Sequence, residues 1–192
     1  MPILTEGEVR EAARAEYQQN RRYTEDFASF SERQLSEHKT ASTYRTAFDV
    51  FLSHSFGDKE LILGVRRVLE GQGMVVYIDW VDDPQLDRTL VQPTTAAVIK
   101  RRMHQSKSLL YATSAQAAGS KWMPWELGYF DGFRSKVGVL PLSPDQVRPG
   151  SYSGREYLGL YPYVGPCSLS SAPGPLCVFD GSGGSVPLKG WL

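Results

Sequence analysis

The chain has 192 residues, with 21 Lys and Arg against 21 Asp and Glu and a formal net charge of +0. Hydrophobic residues at 41% and charged residues at 22% exclude disorder as the main state and suit one domain with an appendage. The zero net charge removes the long-range attraction on which general nucleic-acid and acidic-membrane binders depend, so neither partner is expected.

Residues 6 to 40 are rich in Glu, Arg, Gln and Ala and read as one or two helices. Thr5 and Glu8 have the S/T-x-x-E spacing of a capping box. The apolar stripe of this arm (Val9, Ala12, Ala13, Tyr17, Phe27, Phe30 and Leu35) is thin. It leaves open whether the arm is solvated, packs on the main domain or packs on another copy. At Ala47 the composition changes. Phe48, Val50, Phe51 and Leu52 form an apolar run that stops at Ser53, His54 and Ser55, as a buried parallel strand would. A helix follows, with Leu61, Val65, Val68 and Leu69 on one face, Asp58 near its start and Gly71 and Gly73 at its end. MVVYID, residues 74–79, is a second buried strand.

The alternation then repeats: a polar loop from Trp80 to Arg88, the helix AAVIKRRMHQ, the strand SLLYAT, the helix WMPWELGYFDGF and the strand VGVLPL. Strand and helix in turn, with short connections, predict a parallel sheet covered by helices on both faces. Beyond Pro144, Gly, Pro and Ser increase, with EYLGLYPYV and PLCVFD as short strands and SSAPGP and GSGG as loops. Cys167 and Cys177 are the only cysteines and are expected as reduced thiols. No leader is evident and no run approaches the ~20 apolar residues of a membrane span, so the expected location is the cytoplasm.

Ligands of open parallel sheets bind beyond the carboxyl ends of the strands. No G-x-G-x-x-G follows a strand, and the sequence lacks G-x-x-x-x-G-K-S/T, H-E-x-x-H and G-x-S-x-G. His38, His54 and His104 lie in unrelated elements, so no metal site is expected. The basic run Lys100, Arg101 and Arg102 reads as a solvated helix face. SKWMPWELGYF differs from the rest: Trp122 and Glu126 stand at i and i+4 on one helix face, with Pro124 tolerated in the first turn. A carboxylate against a tryptophan in a crevice suits stabilisation of a sugar-like cation. A structural tryptophan cluster beside a solvated Glu remains the alternative.

FDVFLSHSFGDKE resembles the opening strand and first-helix start of Toll/interleukin-1 receptor (TIR) domains. YATSAQAAGSKWMPWELG is similar to their later block containing W-x-x-x-E. Both occur in the right order over residues 47 to 142, extending to 164 at most. The resemblance implies an α/β, flavodoxin-like three-layer sandwich with a central parallel sheet of about five strands. The corresponding divisions are a helical extension over 1–46, a TIR domain over 47–164 and a short-strand extension over 165–192.

The resemblance further implies cleavage of NAD+ at the nicotinamide–ribose bond, giving nicotinamide and ADP-ribose or a cyclic ADP-ribose isomer. The implied role is a signal in bacterial anti-phage defence of the Thoeris kind. Glu126 is then the catalytic carboxylate, and Phe51, Ser53, His54, Trp80, Asp83 and Trp122 are the substrate-binding residues. NAD+ is the substrate and no cofactor is required. Self-association through TIR contacts and a separate effector that reads the product are the expected partners. The loop WVDDPQLDR departs from the family in lacking a glycine-rich turn. A non-catalytic interaction module and a nucleoside deoxyribosyltransferase-like enzyme are the competing functions.

Overall fold

The computed structural model describes residues 3–20, 26, 29–30, 33, 46–83, 85–86, 88–89, 91–114, 117–144, 156–168 and 174–192. Most of the second half of the helical arm expected up to residue 40, with Phe27 and Leu35 of its apolar stripe, and most of the SSAPGP loop lie outside these residues.

A single sheet organises the chain. Its strands are β1 (Leu4–Thr5), β2 (Phe48–Ser53), β3 (Val76–Tyr77), β4 (Ser106–Thr113), β5 (Val137–Ser143), β6 (Tyr163–Pro166), β7 (Leu176–Phe179) and β8 (Ser185–Pro187). The order is β3-β2-β4-β5-β6-β7-β8, with β1 pairing the end of β5. Pairing is parallel from β3 to β6 and antiparallel from β6 to β8. The five strands paired in parallel from β3 to β6 are the central sheet expected, and among the described residues the C-terminal β7 and β8 and the N-terminal β1 bring the sheet to eight strands.

Among the described residues, the α-helices with defined bounds are α1 (Glu6–Asn20), α2 (Lys59–Glu70), α3 (Asp79–Asp82), α4 (Pro93–His104), α5 (Met123–Arg134) and α6 (Leu188–Trp191). One face of the sheet packs Val50, Leu52, Val76, Leu110 and Leu140 against α2 and α1, through Leu61, Val65, Leu69 and Val9. The opposite face packs Phe51, Tyr77, Leu109 and Val137 against Ile99 and Met103 of α4 and Leu127 and Phe130 of α5. Strands covered on both sides have no wet face, hence their unbroken apolar runs.

The capping box forms: Thr5 N–H donates to Glu8 Oε2 at 2.8 Å and Glu8 N–H to Thr5 Oγ1 at 3.2 Å. α1 is not a solvated extension. It lies so close over α2 that a Cβ on Gly64 would stand 2.0 Å from the Val9 carbonyl oxygen, and Arg10 pairs with Glu60 beside that crossing. Glycine is required here by close approach of two backbones.

Three local expectations differ from the structure. Within MVVYID only Val76 and Tyr77 pair as strand, because Ile78 and Asp79 turn directly into α3. Glu156–Leu160 is a 3-10 turn, and the strand begins later, at Tyr163. Cys167 and Cys177 are joined as a disulfide, with Cα atoms 4.9 Å apart, where free thiols had been expected. The antiparallel pairing of β6 and β7 brings these chain segments side by side, a proximity that counting cysteines does not reveal. No helix among the described residues is long and apolar enough to cross a membrane.

Candidate active site

From β2 the chain passes through α2 to β3 on one side, then crosses to β4 on the other. The strand order thus reverses between β2 and β4, and the crevice beyond their carboxyl ends is the place where an open sheet receives a ligand. Three segments converge there: Ser53 to Ser55 at the end of β2, the described residues between Asp79 and Arg88 after β3, and Ser120 to Glu126 at the start of α5. Pro124 sits within the first turn of α5, where its missing N–H costs nothing, and Glu126 N–H closes onto the Trp122 carbonyl at 2.8 Å.

Glu126 is fully buried, at 0% exposure, so the solvated alternative does not hold. Its Oε2 accepts from Ser53 Oγ at 2.6 Å and its Oε1 from Arg88 Nη2. The second guanidinium nitrogen of Arg88 donates to Asp79 Oδ2. One arginine thereby bridges two buried carboxylates. Burial pushes the Glu126 carboxyl above the usual glutamate range, against the opposing pull of the Arg88 charge and the Ser53 hydroxyl. Burial also opposes ionisation of Asp79, whereas the Arg88 charge and the hydrogen bond it donates favour it.

The state of His54 follows from its contacts. Trp80 Nε1–H donates to His54 Nε2 at 2.7 Å, and His54 Nδ1 stands 2.8 Å from the Leu52 carbonyl. An indole N–H can only donate and a carbonyl can only accept, so the ring is neutral with its proton on Nδ1. Asp79 Oδ1 lies 3.2 Å from the same Nε2, but that nitrogen cannot accept from Trp80 and donate to Asp79 at once. With His54 neutral, Arg88 is the cation paired with Asp79.

In front of this network is a cavity of about 510 Å³, lined by His54, Asp79, Trp80, Arg88, Lys121 and Trp122 among others. That volume is in the range of sites for small molecules and cofactors. Trp122 donates its indole N–H to the Arg88 carbonyl at 2.8 Å and meets Trp125 edge-on at 5.4 Å. The Lys59 ammonium stands 5.7 Å over the Trp80 ring.

Of the residues singled out in the sequence, His54, Trp80 and Trp122 line the cavity, and Ser53 and Glu126 form the layer behind it. Phe51 is buried under the sheet, stacked on Tyr77 at 5.1 Å. Asp83 lies outside the cavity lining: both its oxygens receive Arg102, at 2.7 and 2.9 Å, and Tyr77 O–H adds a third bond at 2.9 Å. Sequence reasoning passed over Asp79 and Arg88 as site residues. An acidic residue directly at the end of an apolar strand was the available signal for Asp79. Nothing local marks Arg88.

A curated relative from Bacillus cereus (strain MSX-D12), named "Probable 3' cyclic ADP-D-ribose synthase ThsB'", is 41% identical over 169 residues, covering 85% of this chain and 87% of the relative. The chain belongs to the bacterial, Thoeris-type TIR family. A second TIR relative, from Cytobacillus dafuensis and named "Putative cyclic ADP-D-ribose synthase TIR2", is 33% identical over 86 residues, which is 44% of this chain and 23% of the relative. No general family profile matches the chain. The TIR fold expected from the two sequence blocks is the one observed, with its sheet prolonged at the C-terminal edge.

Proposed function

We propose that this TIR protein cleaves the nicotinamide–ribose bond of NAD+, releasing nicotinamide with ADP-ribose or a cyclic ADP-ribose isomer as a signal in anti-phage defence. The observation that carries the reading is Glu126: a fully buried carboxylate at the strand-order reversal, directly behind a cavity of small-molecule size. The names of both TIR relatives, cyclic ADP-D-ribose synthases, supply the reaction class.

The leaving group of NAD+ is already cationic and departs as neutral nicotinamide, so the bond breaks without an acid to protonate it. What the protein must supply is position and negative charge where the ribose becomes electron-poor. Glu126 provides the charge. In the dry interior it acts more strongly than in water, and Ser53 fixes its orientation. Trp80 and Trp122 offer flat apolar faces to the adenine or nicotinamide ring. His54 holds Trp80 in place, while Phe51 and Asp83 act from behind, setting β2 and the loop. Arg88 occupies Glu126 in this arrangement, and a cation beside a developing cation is unfavourable, so productive binding requires Arg88 to turn away. The reading calls for no metal and no cofactor beyond the substrate. It includes a cytoplasmic location, self-association through TIR contacts, and a separate effector for the product.

The test is chromatography of NAD+ incubated with concentrated protein, beside Glu126→Ala and a deoxynucleoside control. Nicotinamide should appear with the native chain and be lost in the variant, whose circular dichroism should be unchanged. Retained activity in the variant would defeat the role of Glu126. Free base from the deoxynucleoside would transfer the reading to the nucleoside transferase class.

A further inference from the structure

Among the described residues, Asp79 Oδ1 is a buried carboxylate oxygen with no hydrogen-bond donor. Buried polar atoms are nearly always paired, and a charged one left bare is costly enough to need a reason. The usual structural explanation fails here. Arg88 is spent on Oδ2 and on Glu126. His54 Nε2, 3.2 Å away, already accepts from Trp80, and the Trp80 backbone N–H that bonds this carboxylate still leaves Oδ1 without a partner.

Position supplies the reason. Asp79 is only 3% exposed, yet it belongs to the cavity wall, whereas Glu126 does not. It opens α3 immediately after β3, so it is held by the sheet and not by a free loop. Because the two nitrogens of one guanidinium hold both carboxylates, a ligand that draws Arg88 aside uncovers both together. A ribose offers two adjacent hydroxyl donors, which is what a site with a bare acceptor oxygen and a neighbouring carboxylate can take.

We propose that Asp79 is a second substrate-binding carboxylate, whose Oδ1 accepts a hydrogen bond from a hydroxyl of the nicotinamide ribose while Glu126 faces the reacting carbon. This rests on the NAD+ reading and adds a recognition residue to it. Arg88 is the element that holds both carboxylates in the arrangement seen.

Binding is measured calorimetrically in a Glu126→Gln background, where NAD+ stays intact, using NAD+ and its two analogues lacking the 2′- or the 3′-hydroxyl of the nicotinamide ribose. Adding Asp79→Asn should weaken NAD+ about ten- to hundredfold, the usual worth of a hydrogen bond to a charged acceptor. One of the two analogues should bind both chains equally, because the hydroxyl that Asp79 recognises is already absent from it. Equal weakening of all three ligands would mean that Asp79 acts only by holding Arg88, and would overturn the proposal, as would no weakening at all. If the Asn chain does not fold by circular dichroism, Asp79→Glu, which keeps the charge and displaces the oxygen, is read by the same ratio. Failure of NAD+ to bind the Glu126→Gln chain, with no nicotinamide released by the native protein, would sink the NAD+ reading itself.

Discussion

Replacing Arg88 with Met keeps most of the side-chain length and removes the cation that two buried carboxylates share. The side chains concerned are 13% exposed for Arg88, 4% for Asp79 and 0% for Glu126, so water screens little of the loss. Breaking a buried ion pair from one side typically costs about 3–5 kcal/mol, because the partner charge is left uncompensated. For a chain of this length the unfolding entropy is such that 1 kcal/mol moves the melting temperature by about 2.5 °C. Arg88→Met should therefore lower Tm by about 7–12 °C near neutral pH. The deficit has a definite pH signature. Without the arginine both carboxyls have raised folded-state pKa values, so the folded variant takes up protons more readily than the unfolded chain. Its penalty is full at high pH and shrinks as pH falls and the carboxyls protonate. Scanning calorimetry of both proteins from mildly acidic to mildly alkaline pH reads this directly. A Tm within 2 °C of the native protein's at neutral pH, or a deficit independent of pH, would show that Arg88 does not carry the charge balance of the site.

The raised carboxyl of Glu126 makes two related statements. Catalysis needs it ionised, so the acid limb of nicotinamide release should lie above the ordinary glutamate value, and a limb at or below that value would refute the assignment. For stability the sign is opposite to that of a salt-bridged acid: its burial costs nothing below the unfolded-state pKa and weighs fully once pH exceeds the raised folded value. Gly64→Ala is informative through its sign. Alanine in a helix interior is normally favoured over glycine by about 1 kcal/mol, but here the new methyl would strike the Val9 carbonyl. We expect a net loss of about 1–3 kcal/mol, the usual range for overpacking, with faster tryptic cleavage after Arg10 and Arg14 as α1 lifts. An unchanged or higher Tm would show that α1 is not held at this crossing.

Much of the fold was legible because its signals are local. Buried parallel strands need unbroken apolar runs, their helices need one apolar stripe, and both were visible from Phe48 to Leu142. The N-terminal capping box was equally plain, since Thr5 and Glu8 act across three residues. Where an element depends on distant partners, local pattern failed. Leu4 and Thr5 form a strand only because β5 extends beyond its other neighbours to meet them. The Glu156 to Leu160 segment carries strand-like residues but packs as a turn, because β6 begins only at Tyr163.

The site divides in the same way. Sequence by itself determined that a carboxylate and a tryptophan share the first turns of a helix at the mouth of a parallel sheet, since helical spacing and strand order require nothing else. It could not determine that Glu126 is enclosed, that Arg88 bridges it to Asp79, or that Asp83 is turned away to Arg102. These facts depend on three loops meeting at one point, with 38 positions between Arg88 and Glu126 and 73 between Ser53 and Glu126. Only the reversal of strand order between β2 and β4 brings those loops together, and that closure is a property of the tertiary structure.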